Sequence, residues 1–129
     1  MESAIAPNLL STPALAYLGD AVVELCVRSY LVKKGICHSK DLNREALSFV
    51  PAGKQADAAE RILPLLTEEE HLVYRRAHNV SHLQHVPKGA TVQEYRSATG
   101  LEALFGYLFA DQNYDRIGEL FCAGYEIKE

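Results

Sequence analysis

Residues 14–27 read Ala-Leu-Ala-Tyr-Leu-Gly-Asp-Ala-Val-Val-Glu-Leu-Cys-Val, and this stretch decides how the rest of the chain is read. Its only charges are Asp20 and Glu24, four positions apart and so on one face of a helix. The remainder is apolar nearly all round, the mark of a buried helix rather than one lying on a surface. No alternating Val/Ile/Thr/Tyr run stands between turn residues anywhere in the chain, so no strand is expected.

Working outward, the helix begins at Ser11-Thr12-Pro13, where Thr12 can cap and Pro13 suits the first turn. It runs to Lys33-Lys34-Gly35, with cations in the last turn and Gly as the stop. Ser39 is expected to cap a second helix that ends before Pro51, and a third covers about Gly53 to Leu63. Thr67-Glu68-Glu69-Glu70 has the spacing of a capping box and opens a fourth helix, which reaches about Asn79. Residues 80–90 contain Pro87 and Gly89 and read as a loop. A second capping box, Thr91-Val92-Gln93-Glu94, opens a fifth helix running to about Ala110, and a sixth spans roughly Tyr114 to Tyr125. The expected fold class is all-α, a compact bundle with residues 1–129 forming a single domain.

Composition narrows the class further. Of the 129 residues 48% are apolar and 23% charged, which excludes a largely disordered tail, a collagen-like fibre and a disulfide scaffold. Cys26, Cys37 and Cys122 are odd in number and form no C-x-x-C pair, as expected of free thiols in a reducing compartment. No apolar run approaches the ~18 residues of a membrane span, and no basic-then-apolar leader opens the chain, so cytoplasm is the expected location.

A second nearly apolar stretch, Gly-Leu-Glu-Ala-Leu-Phe-Gly-Tyr-Leu-Phe-Ala over residues 100–110, carries Glu102 as its only charge. A carboxylate in such a helix loses hydration and must be paired, hydrogen-bonded, shifted in pKa or bound to a metal. Gly19, Gly100 and Gly106 lie inside these two helices, and each costs about 1 kcal/mol relative to Ala. Close approach of another backbone would explain that cost. We therefore expect the helices to cross near Gly19 and Gly106, bringing Asp20 and Glu102 together. Two facing carboxylates repel unless a cation sits between them, and hard oxygen donors without His or Cys suit Mg²⁺, with Mn²⁺ as a substitute. Two other arrangements remain open from the residues alone. Asp20 could bond to tyrosine hydroxyls or Arg28, and Glu102 could pair with Arg96. Glu24 reads more simply as a salt-bridged residue than as a ligand.

Charge is distributed unevenly. The net charge is −4, yet residues 71–100 hold Arg75, Arg76, Lys88 and Arg96 against Glu94 alone, a local net of +3 with four of the five histidines. The other 99 residues hold nine cations and sixteen acids, a net of −7. A local basic segment next to a carboxylate site suits a phosphodiester substrate, with Arg75, Arg76, Lys88 and Arg96 as candidates for its backbone. His78, His82 and His85 have helical spacing that could serve Zn²⁺, but they fall toward a loop with no fourth ligand nearby and read better as RNA contacts. Ser81 and Ser97 lack the placed His-Asp pair of a nucleophilic serine.

These segments also match a family. Ala14 to Glu24 resembles the signature helix of ribonuclease III in its Mini-ribonuclease III form. Tyr95-Arg-Ser-Ala-Thr-Gly-Leu-Glu-Ala-Leu-Phe-Gly-Tyr107 is similar to the second catalytic helix of that group, and Arg75-Arg-Ala-His-Asn79 followed by Pro87-Lys88 to its basic loop. The resemblance implies a homodimeric, Mg²⁺-dependent endonuclease for double-stranded RNA, acting on the precursor of large-subunit ribosomal RNA. It implies Asp20 and Glu102 as catalytic metal ligands. It also implies Arg75, Arg76, His78, Asn79, Lys88 and Arg96 as RNA-binding residues, with no separate double-stranded-RNA-binding domain. Larger ribonuclease III enzymes carry two further acids, at the positions of Ala16 and Thr99 here, which the Mini form also generally lacks. The alternative is a non-catalytic RNA-binding or ribosome-associated helical module.

Overall fold

A computed structural model describes residues 9–79, 86 and 88–128. Six α-helices follow one another: α1 (Thr12–Lys33), α2 (Ser39–Ala46), α3 (Ala52–Ile62), α4 (Glu68–Asn79), α5 (Val92–Ala110) and α6 (Tyr114–Gly124), with a 3₁₀ turn at Leu63–Leu65. The described residues contain no strand, and no helix among them is long and apolar enough to cross a membrane.

Helix starts differ from the sequence expectation in detail. The cap of α1 is Ser11, not Thr12: Ser11 is extended, and its hydroxyl accepts from the Ala14 N–H at 3.2 Å. Pro13 then falls at the second helical position, where its missing N–H leaves no bond unmade. Ser39 is the first residue of α2 rather than its cap, a place taken by His38 without a side-chain bond. α2 also ends at Ala46, well short of Pro51, because the chain tightens into i→i−3 bonds from Ser48 to Glu45 and from Phe49 to Ala46. That tightening directs Phe49 inward, where its ring centroid lies 5.2 Å from that of Tyr125. Both capping boxes are present, with Thr67 and Glu70 at 2.9 and 3.2 Å and Thr91 and Glu94 at 2.9 and 3.0 Å. Of the loop expected over residues 80–90, positions 80–85 and 87 lie outside the described residues, and with them Ser81, His82 and His85.

α5 is the central helix, and it packs against α1, α3, α4 and α6. Its Leu101, Leu104, Phe105 and Leu108 meet Val22, Val23, Val27 and Leu31 of α1, Ala58, Ala59 and Ile62 of α3, and Ile117, Leu120 and Phe121 of α6 in one core. Away from the core, Glu70 is buried and receives two bonds from Arg116, both 2.9 Å, while Arg116 also donates to the Leu65 carbonyl at 2.7 Å. Burial would raise the Glu70 carboxyl, but Arg116 and the Thr67 N–H outweigh it and hold the carboxyl below its usual range. This pair ties α4 to α6 and leaves α1, α3 and α5 to frame the site.

Candidate active site

The α1–α5 contact is the most extensive between helices, and it is made backbone to backbone. A Cβ on Gly19 would run into the main-chain carbonyl of Glu102 and come within 2.9 Å of the Gly106 amide nitrogen. A Cβ on Gly106 would run into the Leu15 carbonyl and come 3.0 Å from the Gly19 nitrogen. The two glycines therefore set the closest point of the crossing, as their cost in helix propensity suggested. Asp20 follows Gly19, and Glu102 lies one turn before Gly106, so the crossing brings the two side chains into hydrogen-bond contact. Gly100 has a different purpose: a Cβ there would meet the Tyr74 ring at 2.6 Å, so it seats α4 rather than the site.

Two carboxyls that hydrogen-bond must share a proton. Glu102 is pushed up to about 8, first by burial, then by the Asp20 charge and the bond to Asp20, against a lowering bond from Gln55. Asp20 itself is exposed and lines a surface groove of about 370 Å³ together with Tyr17, Leu18, Ala21, Glu24 and Arg28. The pair is thus half sunk in the helix crossing and half open to solvent.

Neither competing arrangement forms among the described residues. Arg28 turns to Glu24, with bonds of 3.0 and 3.2 Å, and not to Asp20. Glu24 is accordingly salt-bridged, as its spacing suggested. Arg96 makes no ion pair with Glu102, and its Nε is buried without a hydrogen-bond partner. No tyrosine hydroxyl bonds to Asp20: Tyr107 donates to Glu69 and Tyr125 to the Phe49 carbonyl. Thr99 uses its hydroxyl on the Tyr95 carbonyl at 2.9 Å.

The residue that sequence reasoning missed is Gln55. It lies on α3, is only 6% exposed, and is the polar side chain that lowers the Glu102 carboxyl against burial and the Asp20 charge. A signal was present. Positions 55, 58, 59 and 62 form one helical face, and Gln55 is the one polar residue on it beside Ala58, Ala59 and Ile62.

The donor set fits Mg²⁺ or Mn²⁺ better than zinc. Among the described residues no group of three or more His, Cys, Asp and Glu is placed to hold a metal ion. Zinc needs three or four such ligands, whereas Mg²⁺ is commonly held by one or two carboxylates and completes its shell from water and phosphate. Burial raises Glu102 most, and the repulsion from Asp20 that adds to it is what a divalent cation between the acids would relieve.

The basic residues are more dispersed. Arg75, Arg76, Asn79 and Lys88 are exposed. Arg75 and His78 share a cleft of about 590 Å³ between α3, α4 and α5 with His71 and Gln93, but also with Asp57, Glu60 and Glu94. The cleft is therefore mixed in charge. His78 lies 3.4 Å from the Asn79 side chain and 3.3 Å from that of Gln93. Arg96 is half-buried on α5 and does not line this cleft.

Residues 13–113 match the family described as the ribonuclease III domain. The chain is 40% identical over 123 residues to the Mini-ribonuclease 3 of Symbiobacterium thermophilum, covering 95% of this chain and 94% of that one. It is 44% identical over 110 residues to the Mini-ribonuclease 3 of Enterococcus faecalis, covering 83% and 82%. The chain belongs to the ribonuclease III family and, within it, to the Mini-ribonuclease III group. A crystal structure of a Fusobacterium nucleatum protein has the same fold, with a TM-score of 0.77 at 32% identity over 86% of this chain and 88% of the other.

Proposed function

We propose that the protein is a divalent-metal-dependent endoribonuclease for double-stranded RNA, with Asp20 and Glu102 as its catalytic metal ligands. The observation that carries this reading is the meeting of the two acids at a backbone-to-backbone helix crossing, with no cationic side chain among the described residues paired to either. Membership of the ribonuclease III family supports the reaction class. Asp20 and Glu102 would hold Mg²⁺, or Mn²⁺ in its place, which would supply a water of lowered pKa and a Lewis acid for the scissile phosphate. Asp20 presents its carboxylate from the exposed side, so the phosphate reaches the pair along the surface groove. Glu102 holds its carboxyl from the buried side and must give up its proton for the pair to bind a cation. No side-chain nucleophile is needed. Arg75, Arg76, His78, Asn79, Lys88 and Arg96 are the proposed contacts to the RNA backbone, read through A-form shape rather than base sequence.

The partner is a second copy of the chain. Tyr17, Ala21 and Leu25 form an outward-facing stripe on α1 at helical spacing, with Tyr17 86% and Leu25 59% exposed. This stripe borders Asp20, so covering it by twofold symmetry would set two acid pairs side by side, one for each strand of a duplex. Precursor large-subunit ribosomal RNA in the cytoplasm is the proposed substrate, on the likeness to Mini-ribonuclease 3. The deciding experiment is cleavage of a labelled RNA duplex with and without Mg²⁺. The protein is expected to cut only with the metal, and Asp20→Asn and Glu102→Gln to bind the duplex without cutting it. Turnover in both variants would remove these acids from the site.

A further inference from the structure

We infer that Gln55 is a positioning residue for Glu102: its side-chain amide donates to one carboxylate oxygen and leaves the other turned toward Asp20 for a divalent cation. This rests on the reading of Asp20 and Glu102 as the metal ligands. The two acids are held very unequally. Asp20 stands on an exposed face of α1, free to adjust to substrate and water. Glu102 projects from the central helix into the seam between α1 and α3, where Asp20 and Gln55 are its polar neighbours and the Tyr125 hydroxyl is close enough to be raised by its charge. A long carboxylate side chain in such a seam has rotamer freedom that only a directional partner can remove.

Gln55 suits that task and is costly for any other. A buried amide must find partners or forfeit about 1–3 kcal/mol, and an apolar residue on this face of α3 would pack with Ala58, Ala59 and Ile62 at no such cost. Its place is also fixed from both ends of α3. At the N-terminal end, a Cβ on Gly53 would come 3.0 Å from the Glu94 carboxylate, which therefore sits against the first turn and anchors it to α5. At the other end Arg61 donates to the Gly124 carbonyl at 2.8 Å and pairs with Glu126 at 3.3 Å. Gln55 thus reaches Glu102 from a helix that packs along the same α5 that carries Glu102 and is tied at its far end to the end of α6, so the donor and the carboxylate keep one registration. Of the three side chains at the crossing, Gln55 is the most buried.

The test is Mn²⁺ binding by the full chain, read as depletion of the free-ion electron paramagnetic resonance signal, with metal-free melting measured alongside. Gln55→Met keeps the length and volume and removes the donor. It is expected to weaken Mn²⁺ about tenfold or more while melting as the unaltered protein does, and high Mg²⁺ should restore its cleavage rate. Gln55→Leu serves as a second variant and is read by the same criterion should the first not fold. Asp20→Asn is the reference for loss of the site. If Asp20→Asn abolishes Mn²⁺ binding and a folded Gln55 variant binds as tightly as the unaltered protein, the positioning role is refuted and the two acids remain the ligands. If the unaltered protein binds no Mn²⁺, or Asp20→Asn binds it equally, both readings are overturned together.

Discussion

At the scale of single residues, the decisive quantity is the proton on Glu102. The folded protein holds it to about 8, whereas an unfolded chain releases it near the ordinary value of 4.5. The folded state therefore binds more protons between those two values, so without metal its stability falls as pH rises through that window. Replacing the acid by Glu102→Gln removes the titration and should flatten the pH dependence of melting. At pH 8 it should raise metal-free stability by roughly 2 kcal/mol, each pKa unit being worth about 1.4 kcal/mol and part of the gain being lost to solvent on the Asp20 side. Added Mg²⁺ should stabilise the unaltered protein at pH 8 and leave the variant unmoved. Scanning calorimetry over pH 5–9 with and without metal checks both. Asp20 and Glu102 were legible in the sequence because each is the odd charge in an apolar run. Gln55 was harder to see, since a neutral polar residue on a short Ala-rich helix resembles an ordinary surface glutamine until its helical face is counted.

At the scale of helices, the crossing depends on two positions having no side chain at all. Gly19→Ala would drive a methyl into the Glu102 carbonyl, a backbone group that cannot swing aside. A loss of about 3 kcal/mol or more is expected, with Mn²⁺ affinity lost in whatever fraction still folds. Gly118 provides the contrast: it lies within α6, nothing lies within 4 Å of its would-be Cβ, and Gly118→Ala should stabilise by up to about 1 kcal/mol. Thermal melts of the two variants decide the point, and equal effects would mean that the crossing is looser than drawn. Here the sequence was informative where local chemistry is self-contained. The Thr67–Glu70 and Thr91–Glu94 boxes need only a four-residue spacing, and both form. The end of α2 is set instead by Phe49 packing on Tyr125, 76 positions away, and no local pattern announces such a partner. Glu70 carries a similar lesson: its capping spacing is visible, but its bidentate bond to Arg116 comes from tertiary structure.

At the scale of the whole molecule, one chain offers one acid pair, and a duplex has two strands to cut. The exposed Tyr17, Ala21 and Leu25 stripe places the proposed twofold contact beside the site. Tyr17→Asp together with Leu25→Asp should turn the proposed dimer into a monomer in sedimentation at micromolar concentration, and should slow coordinated cutting of both strands far more than it weakens Mn²⁺ binding. An unchanged sedimentation coefficient would move the contact elsewhere. All-α architecture was readable because caps and breakers bound long segments and no alternating strand pattern stands between them. The surface proposed for the twofold contact was not, since exposure of one helix face becomes visible only when the other five are in place. The glycine contact at the centre of the bundle carries one last implication. Because two peptide planes already touch there, the gap between the paired acids behaves like a gauge block cut to a fixed width. Side chains elsewhere can swell, shrink or be exchanged without narrowing it, so the fold can drift widely in its interior while the bite on an ion stays the same.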